Sequence, residues 1–146
     1  MPISFEVFSD DFETMEKEIA QTFETNFGIK TNVYTASKKI ENLNKKAKTH
    51  LIRILQESLS NISRHSNASQ VEIKIIDGID DFSFIICDNG KGFDVKEVEQ
   101  KNKTDSVKHF GLGNIKKRVN IIGGTVEFIN KGGLTIAIKI KDSVYR

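Results

Sequence analysis

One cysteine, one proline and no tryptophan stand among the 146 residues. A lone Cys87 cannot close an internal disulfide, so a reducing, cytosolic setting fits. It sits in an apolar run and reads as buried filler rather than a reactive thiol. No apolar run approaches the length of a membrane span, and the N-terminus lacks the charged-then-apolar order of a signal peptide. Charge of one sign is also missing. The 22 basic and 20 acidic residues leave a net charge of +2, which gives no bulk electrostatic case for nucleic acid. What remains, 38% hydrophobic and 29% charged, is the composition and size of one globular domain over residues 1–146.

Periodicity orders the chain. Residues 1–9 read as a short edge strand or a lead-in. Asp10 or Asp11 caps a helix whose Phe12, Met15, Ile19 and Phe23 recur at three- and four-residue steps, with Gly28 as its stop. Ile29 to Thr35 alternates as a strand, and Ala36 to Asn44 is a loop with a short helical piece. A long helix is expected from about Lys45 to His65. Leu51, Leu55, Ser58, Leu59 and Ile62 fall in one core-facing arc, with Glu57, Asn61 and His65 as a stripe along its flank. Val71–Ile76 and Asp81–Asp88 read as a hairpin, and residues 95–108 as a charged mobile loop. A helix then opens at Phe110-Gly111-Leu112-Gly113-Asn114, stopped by Gly123-Gly124. Thr125–Asn130 and Leu134–Ile140 form a final hairpin. One sheet with helices on one side follows, antiparallel or mixed because of the two hairpins.

Three stretches carry chemistry. Asp88 ends a strand and is followed by Asn89, Gly90, Lys91 and Gly92. A carboxylate at a buried strand end suits the exocyclic amine of a nucleobase, and the glycines let the backbone turn and lie close to a flat ligand. Asp-Asn-Gly is equally a plain turn. Glu57 and Asn61, one helical turn apart, suit Mg²⁺ held together with phosphate oxygens; they are also what an ordinary polar helix edge looks like. His65 on its own reads as a histidine at a helix end, where its charge suits the dipole. Gly111-Leu112-Gly113-Asn114 at a helix start offers free N–H groups to a polyphosphate. No strand precedes it and no Gly-Lys-Ser/Thr follows, which disfavours Rossmann and P-loop nucleotide sites.

In this order the three stretches resemble the ATP-binding domain of the GHKL superfamily, which includes gyrase-type ATPases and histidine kinases. Within it the chain is most similar to catalytic domains of sensor histidine kinases of the nitrate- and lipid-fluidity-sensor type. Leu51-Ile52-Arg53-Ile54-Leu55-Gln56-Glu57-Ser58-Leu59-Ser60-Asn61, then His65, resembles that family's N box. Asp88-Asn89-Gly90-Lys91-Gly92-Phe93 matches its first glycine box. His109-Phe110-Gly111-Leu112-Gly113-Asn114-Ile115-Lys116-Lys117-Arg118-Val119 resembles its second. The resemblance covers about Leu51 to Ile140.

It implies an α+β two-layer sandwich of the Bergerat type, with about five mostly antiparallel strands and three helices on one face. It also implies roles. Asp88 would accept from the adenine amine, Asn61 would hold Mg²⁺, and Glu57 would be the acidic residue assisting phosphoryl transfer. His65, Gly90, Gly92, Phe93, Gly111, Leu112, Gly113, Asn114 and Thr135 would line the ATP site, and residues 95–110 would be its lid. Thr135 departs from the family pattern: it stands one place late, after Gly132-Gly133-Leu134. Either a bulge shifts it, or the hydroxyl that bridges water to adenine is missing. Nothing before Leu51 resembles the dimerising, phosphoaccepting hairpin such a kinase needs. The resemblance therefore implies a domain excised from a longer cytoplasmic or membrane-anchored homodimeric sensor, monomeric by itself. Its partners would be its own phosphoacceptor domain and a response regulator. A stand-alone anti-sigma-type serine kinase and a non-catalytic nucleotide-binding scaffold are the alternatives.

Overall fold

The computed structural model describes residues 11–91 and 112–145. The strand read in residues 1–9 and the loop at 95–110 lie outside them, as do Gly92, Phe93 and Gly111.

Helix α1, Phe12–Phe27, is capped by Asp11, whose carboxylate accepts from the Thr14 N–H at 2.8 Å. Glu41, from a 3-10 turn at Lys39–Asn42, adds a second carboxylate at this helix end, accepting from the Phe12 and Glu13 N–H groups. Negative charge there complements the free N–H groups and the helix dipole. Phe12, Met15, Ile19, Ala20 and Phe23 form the buried stripe, and Gly28 ends the helix at φ 67°. Strand β1, Lys30–Thr35, leads to α2, Lys45–Asn61, capped by Asn44. The hairpin β2, Gln70–Asp77, and β3, Asp81–Asp88, follows. After α3, Leu112–Ile121, come β4, Thr125–Asn130, and β5, Leu134–Lys141.

The five strands lie in the order β1-β2-β3-β5-β4. Only β1 and β2 run parallel, because α2 crosses over between them; the other pairs are antiparallel. The sheet is thus mixed and mostly antiparallel, with three helices packed on it, as read from sequence. Alternation decides its faces. Val71, Ile73, Ile75, Phe82, Phe84, Ile86, Ile136, Ile138 and Ile140 are buried toward the helices. Phe12 of α1 meets Phe84 edge to face at 5.6 Å and 84°. The other face is half exposed and carries Cys87. The cysteine is therefore not core filler: its strand parity turns it outward.

One helix boundary differs from the sequence reading. The α-helical pattern of α2 stops at Asn61, and Ile62–Ser66 forms a π turn ending at Asn67, φ 58°. Two hydroxyls compete for the helix carbonyls here: Ser63 Oγ donates to the Ser60 carbonyl at 2.8 Å and Ser66 Oγ to that of Ile62 at 3.0 Å. Single π turns of this kind often mark functional positions.

Glu16 is a charged residue type inside the core. It is 0% exposed. Oε1 accepts from the Thr35 hydroxyl at 3.3 Å, and Oε2 has no hydrogen-bond partner among the described residues. Burial, with Glu13 and Glu41 adding repulsion, pushes its carboxyl up to about 8 against the ordinary 4.5. The unfolded chain releases this proton near 4.5 while the folded chain keeps it until about 8. The stabilising contribution is therefore complete below 4.5 and is lost as pH rises toward 8. In that window it falls by about 1.4 kcal/mol per pH unit. Glu16→Gln should flatten the decline of melting temperature between pH 5 and 8; parallel curves for variant and wild type would rule out this origin.

Candidate functional site

The inward parity of β3 continues past Ile86 to its last residue, Asp88, which is 3% exposed. A carboxylate so placed needs donors. The Gly90 N–H donates to Oδ1 at 2.8 Å, and the Leu134 N–H donates to the same carboxylate. Both favour the ionised form. Burial is the larger effect and holds the carboxyl above its usual range. Asn89 faces away and splints the turn to β2: its Oδ1 accepts from the Ser69 and Gln70 N–H groups, each at 3.0 Å.

Gly90 behaves differently from the sequence reading. It is not among the positive-φ residues, and its close approach is to protein rather than ligand. A Cβ there would stand 2.1 Å from the Ser66 carbonyl oxygen, and the Lys91 N–H donates to that oxygen at 2.8 Å. Gly90 thus clamps the Asp88 turn onto the π turn that carries His65.

That clamp closes a cavity of about 20 Å³ lined by Asp88, Asn61, His65, Ser58, Leu134 and Ile136, among others. Its size is that of one water. Asp88 here meets Asn61 and His65, which stand more than twenty residues before it. Asn61 is buried, and its Oδ1 accepts from Arg64 Nη2 at 3.3 Å.

Glu57 does not join them. It lies on the other flank of α2, in a cleft of about 860 Å³ bordered by Ser60, Arg64, Asn114 and Arg118. Asn114, the third described residue of the second glycine box, therefore borders the same cleft as Glu57. Leu112 is buried beneath it and Gly113 is half-buried. Arg64 borders the cleft and bonds Asn61, linking the two sides.

Thr135 is not in the cavity. The β3–β5 register is regular and pairs it with Cys87 on the opposite face, where its hydroxyl donates to Cys87 Sγ at 3.2 Å. No bulge shifts it. Leu134 takes the inward place beside Asp88, and Gly133 lies against the Asp88 backbone. Leu134, Gly133 and Arg64 were missed in the sequence. The parity of Leu134 with Ile136 and Ile138, and the three-residue step from Asn61 to Arg64, were the available signals.

Comparisons with known proteins agree on one family. Residues 46–144 match the family described as histidine kinase-, DNA gyrase B-, and HSP90-like ATPase. The signal transduction histidine-protein kinase/phosphatase DegS of Bacillus subtilis strain 168 is 40% identical over 62% of this chain and 23% of its own length. The DegS of Brevibacillus brevis is 35% identical over 85% of this chain and 31% of its own length. The sensor histidine kinase LiaS of Bacillus subtilis strain 168 is 34% identical, over 70% and 27%. The chain thus spans about a quarter of the length of these relatives. Among solved structures, the histidine kinase domain of a blue-light activated kinase from Erythrobacter litoralis superposes with TM-score 0.71 at 15% identity, over 92% of this chain and 63% of that one. The catalytic domain of histidine kinase ThkA superposes with TM-score 0.70 at 13% identity, over 91% and 93%. At these identities the structures show a shared fold.

Proposed function

This chain belongs to the histidine kinase-, DNA gyrase B- and HSP90-like ATPase family, and we propose that it is the ATP·Mg²⁺-binding catalytic domain of a sensor histidine kinase. In its parent protein it passes the γ-phosphoryl group of ATP to a histidine on a separate dimerisation domain. The observation that carries this reading is the cavity in which the buried Asp88 meets Asn61 and His65.

The residues fit the ligand end by end. Asp88 presents carboxyl oxygens to which the Gly90 and Leu134 N–H groups donate, and there an exocyclic amine would find an acceptor. Among the described residues no group of three or more His, Cys, Asp or Glu is placed to hold a metal. A divalent ion would therefore be bound through phosphate oxygens with the Asn61 amide oxygen, the sparse protein ligation usual for Mg²⁺. The bound ion would supply charge neutralisation at the phosphates. Arg64 adds positive charge beside Asn61, and the start of α3, with Gly113 and Asn114, would receive phosphate oxygens; the resemblance assigns Gly111 the same role. Glu57 borders the same cleft as Asn114, where it would assist transfer or orient water. Positioning and charge then account for most of the rate.

The N box and second glycine box support the nitrate- and lipid-fluidity-sensor type, and the matched relatives are DegS and LiaS kinases. Residues 1–146 would form one domain, monomeric and cytoplasmic, of a homodimeric sensor that serves a response regulator. No helix among the described residues is long and apolar enough to cross a membrane. Leu134 in place of a hydroxyl beside Asp88 is the one feature favouring a scaffold that binds without turnover.

Titration with a fluorescent ATP analogue tests the reading. Binding should weaken about tenfold when a chelator removes Mg²⁺, the equivalent of one lost ionic contact. In Asn61→Ala the curves with and without Mg²⁺ should coincide. An Asn61→Ala protein that keeps the full Mg²⁺ dependence would remove Asn61 from the metal end.

A further inference from the structure

Helices α2 and α3 share a polar contact at the border of the cleft: Arg118 Nη1 lies 3.0 Å from His50 Nδ1. A guanidinium keeps its protons, so Arg118 donates and Nδ1 must carry a lone pair. The His50 ring in this contact is therefore neutral, with its proton on Nε2. Its surroundings agree. Burial lowers the imidazole below its ordinary range, and two cations, Arg118 from α3 and Lys46 from its own helix, lower it further. The charged groups acting on it are both positive.

The contact matters because of what holds α3 in place. The ten described residues of this helix are not stable alone, and their placement depends on docking. Ile115 and Val119 dock it through the core. Apolar packing fixes depth well and register poorly, whereas a hydrogen bond needs its atoms within a few tenths of an ångström. Arg118 stands six residues, about 9 Å, along the helix from Leu112.

We propose that His50 is a positioning residue: its neutral ring holds Arg118, and through it sets where the first turn of α3 stands against the Glu57 flank of α2. The proposal rests on the nucleotide-site reading above. Protonation puts a proton on Nδ1, opposite a guanidinium, and the contact breaks. The phosphate-binding end of α3 loses its register, so acidification weakens nucleotide binding through a group outside the site.

The test follows binding of the fluorescent ATP analogue with Mg²⁺ from pH 8 to 5 in wild type and His50→Asn. The asparagine Oδ1 is bonded to Cγ as Nδ1 is, so it can accept from Arg118 at every pH. The ratio of the two dissociation constants should be near one at pH 8 and should rise in favour of the variant as pH falls below the ordinary imidazole range. His65, which lines the cavity in both proteins, cancels in the ratio. A ratio flat across the range, with wild type binding normally, overturns the proposal. If wild type binds no nucleotide at any pH, the site reading fails separately, and NMR decides the role of His50. The Leu112, Gly113 and Asn114 amide signals should move with the titration of His50. In Arg118→Met, His50 should titrate closer to its ordinary range. Amide signals that ignore His50, or a His50 titration unmoved by loss of Arg118, overturn it.

Discussion

Asp88→Ala should weaken ATP binding by about 10- to 100-fold while the protein stays folded. The buried carboxylate is the one charged acceptor at the floor of the cavity, and a hydrogen bond to a charged group is worth about 1.5–3 kcal/mol. Two effects on stability oppose each other. The burial that raises the Asp88 pKa shows that the fold pays to ionise this group, so truncation relieves that cost. It also leaves the Gly90 and Leu134 N–H groups without their acceptor. Asp88→Asn keeps an acceptor for those donors and separates the two effects: it should restore stability and leave binding weak. Competition titration and thermal melting of both variants check this. Binding that survives Asp88→Ala at wild-type strength would place the base elsewhere.

Gly133→Ala should cost several kcal/mol of stability and abolish nucleotide binding together. Gly133 sits at φ 121°, a conformation rare for L residues. Its Cβ would stand 1.9 Å from the Asp88 carbonyl oxygen and 3.0 Å from Asp88 Oδ1. The obstacle is backbone, so the end of β3 or the start of β5 must move. Backbone strain and overpacking each cost about 1–3 kcal/mol. The neighbouring glycine is the control. Gly132 has φ 63° and nothing within 4 Å of its Cβ position, so Gly132→Ala should cost only the left-handed penalty, about 1–2 kcal/mol. Urea midpoints for the two variants compare them; equal losses would contradict the close packing of Gly133 on Asp88.

The difference between these glycines bears on what a sequence can show. Both stand in Lys131-Gly132-Gly133, and the hairpin was legible from them. That one glycine turns the chain while the other makes room for a carboxylate depends on which strand lies alongside, a long-range pairing. Gly90 is the same case: its neighbour is Ser66, far along the chain. Local patterns were legible wherever one periodicity sufficed. The α1 stripe, the two hairpins and the inward Asp88 follow from counting by three and four, or by two. For Thr135, counting by two left a choice between an outward side chain and a bulge that returns it to the site, and only the register decides for the first. Glu57 and Asn61 show where counting ends. Four residues on a helix leave them about 40° apart, and the border between cavity and cleft falls within that angle. Glu16 had a signal that polarity masked. It stands four residues after Phe12 and three before Ile19, squarely on the buried stripe.

The central claim is that Asp88 reads the amine of the base. Isothermal titration of ATP against inosine triphosphate tests it most directly, because inosine carries a carbonyl oxygen where adenine carries that amine. A buried carboxylate facing an oxygen leaves both acceptors unpaired, and sites built around such a bond reject the mismatched ligand strongly. ATP should bind at least about 30-fold tighter, roughly 2 kcal/mol, and Asp88→Asn, whose amide can donate, should narrow the gap. Equal affinity of the wild-type protein for the two nucleotides would contradict the account.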